Sequence, residues 1–384
     1  MNPRPHVLIY RDFLLPGSET FVRNQAEGLK RFVPYYAGLT TVDGIALPPE
    51  RTLTAAQGLL GRVQSAAFTR LGVAPQLAWD IWKCHPQLVH AHFGVDATRV
   101  MTLARLLHLP LLVTLHDYDV TTSDADLAKR GPYCRRYIAR RPRLMREAKA
   151  FLAVSKFIRD KAIARGFPAS KILVHYIGID TAQFTPSSNA ERPPIVLFVG
   201  RLVPKKGCEY LIRAMSAVQA EHPEVELVMV GAGPLREELE AQAAATLKRY
   251  RFVGAQTSQQ VREWYSRCQV FCAPSVTAST GETEGLPITV LEAQAMALPV
   301  VSTVHSGIPE AITHGETGLL APERDVGALR ACLLDLLQNR EFAQTLGANA
   351  RARILRDFDM TRQIEILETI YSQLASRAPG VPKL

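Results

Sequence analysis

The chain has 384 residues, 47% hydrophobic and 21% charged, which excludes a disordered or collagen-like polymer and provides for two or three domains with cores of their own. Its net charge of +9 comes from one half: residues 1–186 hold 25 Lys and Arg against 14 Asp and Glu, and the remainder hold 20 against 22. Six cysteines at irregular spacings, with no CxxC pair, read as free thiols of a reducing compartment, and no apolar run nears the ~20 residues of a membrane span.

At the start, MNPRPHVLIYRDF holds four consecutive apolar residues before Arg11, too few for a signal peptide. HVLIY from His6, LVHAHF from Leu88, LLVTLH from Leu111, FLAVS from Phe151 and KILVHYI from Lys171 are short, apolar and rich in β-branched or aromatic residues. They predict buried strands with helices between them. PGSETF, Pro16 to Phe21, reads as a turn with Ser18 as helix cap, and Ser155 is placed to cap the helix after FLAVS. TPSSNAERPP, Thr185 to Pro194, is polar, holds three prolines and lacks periodicity, so it predicts a linker.

The second half repeats the alternation. IVLFVG from Ile195, VELVMVG from Val225, RFVG from Arg251, VFCAPS from Val270 and PVVST from Pro299 predict strands, and helices are expected to begin near Gly207, Pro234, Ser258 and Gly285. Roughly the last 60 residues read as helix alone. Such alternation implies parallel sheets covered on both faces. Two units of this kind predict an α/β protein of two Rossmann-like domains, with ligands at the carboxyl ends of strands and a cleft between the domains as the expected pocket.

Four segments of the second half end a strand in glycine or turn residues, where N–H groups are open to a phosphate. In FVGRLVPKKG, Arg201 suits a bidentate oxyanion contact and Lys206 acts as a point charge. VMVGAGPL carries Gly231 and Gly233, but Arg236 fills the third glycine position of a dinucleotide fingerprint, and a tight turn explains the pair equally well. In TEGLPITVLEAQAMALPVVS, a helix running from Gly285 to about Ala297 would put Glu284 and Glu292 ~12 Å apart near one face. Its N-terminus between them would hold an anion, with a carboxylate acceptor for hydroxyls on either side: the shape of a sugar–diphosphate–ribose ligand. The alternative is a first-turn dipole residue and a surface glutamate. HSGIPEAI, from His305 with Ser306 and Gly307, offers a further helix start.

In the first half, Gly17 allows close approach of a ligand. HAHFG and TLHDYD place His90, His92, His116, Asp117 and Asp119 at strand ends, at spacings that fit no zinc pattern. His116 is the histidine expected at the pocket. The DxD triplets Asp117/Asp119 and Asp124/Asp126 are ordinary coincidences and are assigned no metal. Lys129 to Lys149 holds nine basic residues and one acidic, Glu147. It is either a solvated helix face or a patch for an anionic membrane, a lipid-linked substrate or nucleic acid. Only Tyr133 and Tyr137 interleave it, too few for a nucleic-acid platform.

Taken together, GRLVPKKG, VGAGPL, FVGA and TEGLPITVLEAQAMALPVVSTVHSGIPEAI with GETGLL, in this order between Ile195 and Leu320, resemble glycosyltransferase family 4, retaining nucleotide-sugar-dependent enzymes of the GT-B fold. SETF, HAHFG, TLHDYD and the stretch from FLAVSKFIRD to TAQF resemble more loosely its exopolysaccharide branch, of the colanic-acid type. Asp117 stands where that branch more often has glycine. The resemblance implies an acceptor domain over 1–186, a donor domain over 187–358 facing it across a cleft, and a helix in 359–384 that returns to the N-domain. By residue, it implies that Arg201 and Lys206 neutralise the donor diphosphate, that Glu284 meets the transferred sugar and that Glu292 takes the ribose hydroxyls. Gly285, Leu286 and Pro287 would form the loop whose N–H groups meet phosphate and sugar, Val253 the base-binding loop, Gly17 a diphosphate neighbour and His116 a sugar neighbour.

The activity so implied is transfer of a hexose from a nucleotide-diphosphate sugar, UDP favoured over GDP, to a glycan acceptor in bacterial surface or exopolysaccharide synthesis. The acceptor is expected to be lipid-linked, the protein cytoplasmic and peripheral on the inner membrane face, with neither cofactor nor metal and no nucleic-acid partner. Charge on the leaving phosphate would fall to Arg201, Lys206 and the helix start at Gly285. No carboxylate pair flanks the reaction centre as in glycoside hydrolases, so a front-face displacement is expected, the leaving phosphate taking the acceptor's proton. The rivals are a nucleotide-sugar 2-epimerase of the same fold, which needs no acceptor, and a non-catalytic nucleotide-sugar or nucleic-acid binding protein.

Overall fold

The computed structural model describes residues 3–54, 68, 74–186 and 192–376, so the predicted linker lies partly outside the described residues. The chain divides into two units, Met1–Gly178 with Met360–Leu384, and Ile179–Asp359. The division precedes residue 186 because Ile179 is already tied to the second unit: its N–H donates to Phe358 O at 2.8 Å, and it forms a bridge with Asp359.

Unit 1 contains β1 (His6–Tyr10), β2 (Phe13–Leu14), β3 (Val33–Gly38), β4 (Thr40–Thr41), β5 (Thr52–Thr54), β6 (Pro86–His92), β7 (Leu111–Leu115), β8 (Ala150–Ala153) and β9 (Ile172–Val174). Seven of them form a parallel sheet in the order β5-β3-β1-β6-β7-β8-β9, and β2 pairs with β4 apart from it. β3 and β5 are not among the strands expected from the sequence. Pro34 interrupts the pattern of VPYYAG, and TLT is too short to show a period. The N-cap position of the helix Thr20–Glu27 is Glu19, without a side-chain cap bond, and not Ser18, because Gly17–Glu19 form a 3-10 turn ahead of it.

The last described helix, Met360–Ser376, belongs to unit 1. Its apolar face supplies Ile364, Leu367 and Tyr371 to the core made with Val7, Ile9, Leu88 and Leu112. Its polar side does more specific work. Glu368 is buried and accepts from the N–H groups of Lys30, Arg31 and Phe32 at 2.8, 2.5 and 3.3 Å, donors that follow a helix end and have no other partner among the described residues. Glu368→Ala would orphan all three, so it is expected to lower stability by about 2–4 kcal/mol in denaturant titration, while Glu365→Ala on the exposed side should stay within about 0.5 kcal/mol.

Unit 2 contains β10 (Ile195–Val199), β11 (Glu226–Val230), β12 (Tyr250–Gly254), β13 (Val270–Ala273), β14 (Val300–Thr303) and β15 (Leu319–Ala321), all parallel, in the order β12-β11-β10-β13-β14-β15. In each sheet the order reverses beside the first strand, between β1 and β6 and between β10 and β13. These are the switch points where open α/β sheets leave a crevice at their carboxyl ends. Among the described residues no helix is long and apolar enough to cross a membrane, and the six cysteines are free.

Candidate active site

In unit 2 the switch point gathers three loops. The loop after β10 runs through Gly200, Arg201 and the 3-10 turn Pro204–Lys206. The GAG turn after β11 is laced onto it: Gly200 N–H donates to Val230 O and Leu202 N–H to Ala232 O, both at 2.9 Å. A Cβ on Gly231 would lie 1.8 Å from Gly200 O, and one on Gly233 would lie 2.3 Å from Leu202 O. The two glycines therefore serve close backbone packing, the tight-turn alternative of the sequence reading.

The third loop precedes the helix Ile288–Ala295. It corrects the expectation of a helix from Gly285 with both glutamates on one face. Pro287 is extended, with φ −65° and ψ 116°, and a residue before proline is disfavoured in the helical region. Glu284 thus sits on the loop and Glu292 alone on the helix. Lys206 Nζ reaches Glu284 Oε1 at 3.1 Å, and Lys205 Nζ reaches Glu282 Oε1 at 3.0 Å and Thr283 O at 3.3 Å. The expected diphosphate cation and sugar carboxylate are each other's partner. Arg201 is exposed and has no side-chain partner among the described residues. Pro287 has no N–H to offer; the N–H groups of Gly285, Leu286, Ile288 and Thr289 donate to no protein partner among the described residues. They form a cluster of open donors at the positive end of the helix.

Glu284 is held by a pair the sequence reading did not assign. Its N–H donates to His305 Nε2 at 3.1 Å, and its carbonyl accepts from the Ser306 hydroxyl. Because His305 Nε2 accepts, Nδ1 carries the proton and donates to Glu323 Oε1 at 2.7 Å. Glu323 also accepts from the Thr277 N–H at 2.7 Å. Burial lowers the His305 pKa, against the pull of Glu323, which keeps the ring neutral and Nε2 an acceptor. HSG after β14 thus fixes the peptide that carries Glu284; its helix, Ile308–Ala311, is a single turn.

Glu292 accepts from Tyr265 Oη at 3.0 Å. Burial pushes its carboxyl up to about 7, opposed by the Tyr265 hydroxyl. Val253 lies near the end of edge strand β12, its carbonyl accepting from Gln256 Nε2 at 2.8 Å.

In unit 1, His90, His92 and His116 stack at the carboxyl ends of β6 and β7, with ring centroids 4.5 Å and 5.3 Å apart. Both nitrogens of His90 are used, by Tyr371 Oη and Thr114 Oγ1 at 2.6 Å each, so it is structural. His116 Nε2 meets His92 Nδ1 at 3.1 Å, leaving Nδ1 of His116 without a partner among the described residues. Burial and Arg11 push His116 down to about 3, so it is a neutral imidazole. Arg11 also pins the turn that holds Gly17, through Glu19, with Nε to Oε2 at 2.8 Å, and bonds Asp96. Space over Gly17 is open.

The DxD triplets serve other ends. Asp119 accepts from the Gly94 N–H at 2.8 Å and the Asp117 N–H at 3.1 Å, and Asp117 accepts from the Tyr118 N–H at 2.6 Å. With φ at −161°, residue 117 has no need of glycine. Asp124 pairs with Arg141 and Arg165 at 2.6 and 2.7 Å, and Asp126 with Lys129 at 2.7 Å. Among the described residues, no three His, Cys, Asp or Glu side chains are placed to hold a metal ion.

A family model described as Glycosyltransferase Family 4 matches residues 17–183, and one described as Glycosyl transferases group 1 matches residues 180–353. Amylovoran biosynthesis glycosyltransferase AmsK of Erwinia amylovora is 35% identical over 238 residues, which are 61% of this chain and 58% of that one. The putative colanic acid biosynthesis glycosyltransferase WcaL of Salmonella typhimurium is 29% identical over 295 residues, 73% of this chain and 70% of its own. The chain therefore spans between about half and three quarters of the length of these relatives. Anabaena HepE, solved in complex with UDP, superposes with a TM-score of 0.74 at 21% identity, covering 96% of this chain and 100% of HepE; at that identity the likeness is one of fold, the GT-B fold. The two adjoining family matches, and the fold they share, make this chain a member of glycosyltransferase family 4.

Proposed function

We propose that the chain is a retaining glycosyltransferase that moves a hexose from a nucleotide-diphosphate sugar, UDP-linked in preference to GDP-linked, to a lipid-linked glycan acceptor in exopolysaccharide synthesis. The observation that carries this reading is the rim of unit 2, where Lys206 and Glu284 meet 3.1 Å apart beside the open N–H groups of Gly285, Leu286, Ile288 and Thr289. A diphosphate takes Lys206, Arg201 and those N–H groups; the sugar takes Glu284, the ribose Glu292, and the base the strand end at Val253. The roles of Gly17 and His116 rest on the family resemblance alone. As the anomeric bond breaks, charge grows on the β-phosphate, and fixed cations and N–H dipoles stabilise it without reorganising. On this reading leaving-group stabilisation falls to protein groups and asks for no metal. HepE, which shares the fold, is solved with UDP and with UDP-glucose, and this supports uridine as the base.

A panel of UDP-, GDP- and ADP-sugars read by thermal shift tests the donor: the true donor at 100 times its Kd should add ~2.7 kcal/mol. The anomer formed, read by NMR, tests retention. No stabilisation by any donor, or an inverted product, overturns the reading.

Glu292 adds a pH signature. With its carboxyl near 7 before binding, ribose hydroxyls that donate to it favour the charged form and lower its pKa. Donor binding then releases a proton below pH 7. Affinity is expected to rise up to about tenfold per pH unit between pH 5 and 7 and to level off above. Calorimetry in buffers of different ionisation enthalpy should show the released proton, and Glu292→Gln should abolish it.

A further inference from the structure

Among the nine basic residues from Lys129 to Lys149, three are neutralised by carboxylates: Lys129 by Asp126, Arg141 by Asp124 and Arg143 by Glu147. Arg135 and Arg146 reach backbone carbonyls at 3.2 and 3.3 Å. Arg136 and Arg140 differ. They stand one turn apart on the helix Pro132–Glu147, both half-buried, and neither has a carboxylate or carbonyl partner among the described residues. Like charges at this spacing repel, and half-burial removes the water that would screen them. The Arg136 pKa is lowered by burial and by the charges of Arg140 and Arg99.

Tyr133, on the same helix face one turn before Arg136, buries its hydroxyl oxygen without a hydrogen bond. Its ring lies 4.2 Å from the Arg99 guanidinium and 6.3 Å from Phe13. Arg99 is paired with Asp12 at 2.6 Å, just past β1. The cluster therefore adjoins the carboxyl end of β1, the ligand end of the sheet. An unmade hydroxyl hydrogen bond and two cations without counter-charge each work against folding, and one oxyanion answers all three: two guanidinium forks and a neutral O–H donor.

We propose that Arg136, Arg140 and Tyr133 form an oxyanion slot for a phosphate of the acceptor's lipid carrier. The proposal rests on the glycosyltransferase reading. A neutral glycan would not call for two cations here, and the three residues share one helix face beside the ligand end of the unit 1 sheet. Only the half-buried pair without partners among the described residues, and not the segment's whole charge, does the recognising.

The test uses the full chain with its nucleotide site filled by the nucleotide that the donor panel identifies. Farnesyl diphosphate is titrated as a soluble lipid diphosphate, with farnesol as the uncharged control. The wild type is expected to bind the diphosphate and not the alcohol. Arg136→Gln with Arg140→Gln should weaken that binding at least about tenfold, and Tyr133→Phe severalfold, both with nucleotide affinity unchanged and the melting temperature equal to or above that of the wild type. Unchanged farnesyl diphosphate affinity in the double variant overturns the slot. A second arm floats the proteins with phosphatidylcholine vesicles, with and without phosphatidylglycerol. A loss confined to this arm gives the arginines to membrane headgroups and overturns the carrier assignment. If no nucleotide binds while farnesyl diphosphate binding still depends on Arg136 and Arg140, the slot stands and the transferase reading falls.

Discussion

Lys206→Ala is expected to lower kcat/KM by ~10²–10³-fold, and Arg201→Ala by a similar factor. Both cations meet charge that is larger in the transition state than in the bound donor, so the loss belongs in kcat. The two variants differ in what else they disturb. The Arg201 side chain is exposed and has no protein partner among the described residues, so its removal should leave the melting temperature unchanged. Lys206 is paired with Glu284, whose side chain is only 8% exposed. Removing it leaves a buried carboxylate without its cation, a change that typically costs about 3–5 kcal/mol. Lys206→Ala with Glu284→Gln should recover much of that stability and none of the activity, which separates folding from catalysis. Activity abolished by EDTA, with Lys206→Ala near wild type, would move the leaving-group chemistry from fixed cations to a bound ion.

How far this site could be read in advance depended on sequence distance. Strands such as β10 and β13 are continuous apolar runs, legible because burial on both faces leaves no room for polar residues. The Arg201–Lys206 loop and the EGLP segment were each visible as local strings. Their junction was not: Lys206 and Glu284 are joined by a crossover at the switch point, and no local pattern announces it. The same holds for His305 and Glu323, whose service to the Glu284 peptide appears only once β13 and β14 lie side by side. Pro287 was in plain view and decided against a helix shared by both glutamates. The charge of the 129–149 segment overstated its free cations, because Asp124 comes from one helix to meet Arg141 on another.

Glu284→Ala and Glu292→Ala are expected to split kcat from donor KM. Glu292 is assigned to ribose hydroxyls, which are bound equally in the ground and transition states, so its loss removes uniform binding. A hydrogen bond to a charged group contributes about 1.5–3 kcal/mol, so donor KM should rise by ~10–100-fold with kcat nearly unchanged. Glu284 faces the sugar that becomes positively charged as the bond breaks, and its loss should lower kcat by ~10²-fold. Its ion pair gives the second half of the signature. In the free protein Glu284 holds Lys206 at 3.1 Å, and a bound diphosphate competes for that ammonium. Without Glu284, Lys206 turns wholly to the diphosphate, so donor KM in Glu284→Ala should be equal to or below wild type while kcat falls. Steady-state kinetics with the donor from the panel decides it. A raised KM with normal kcat for Glu284→Ala would take that carboxylate away from the reacting sugar and leave it as the partner of Lys206.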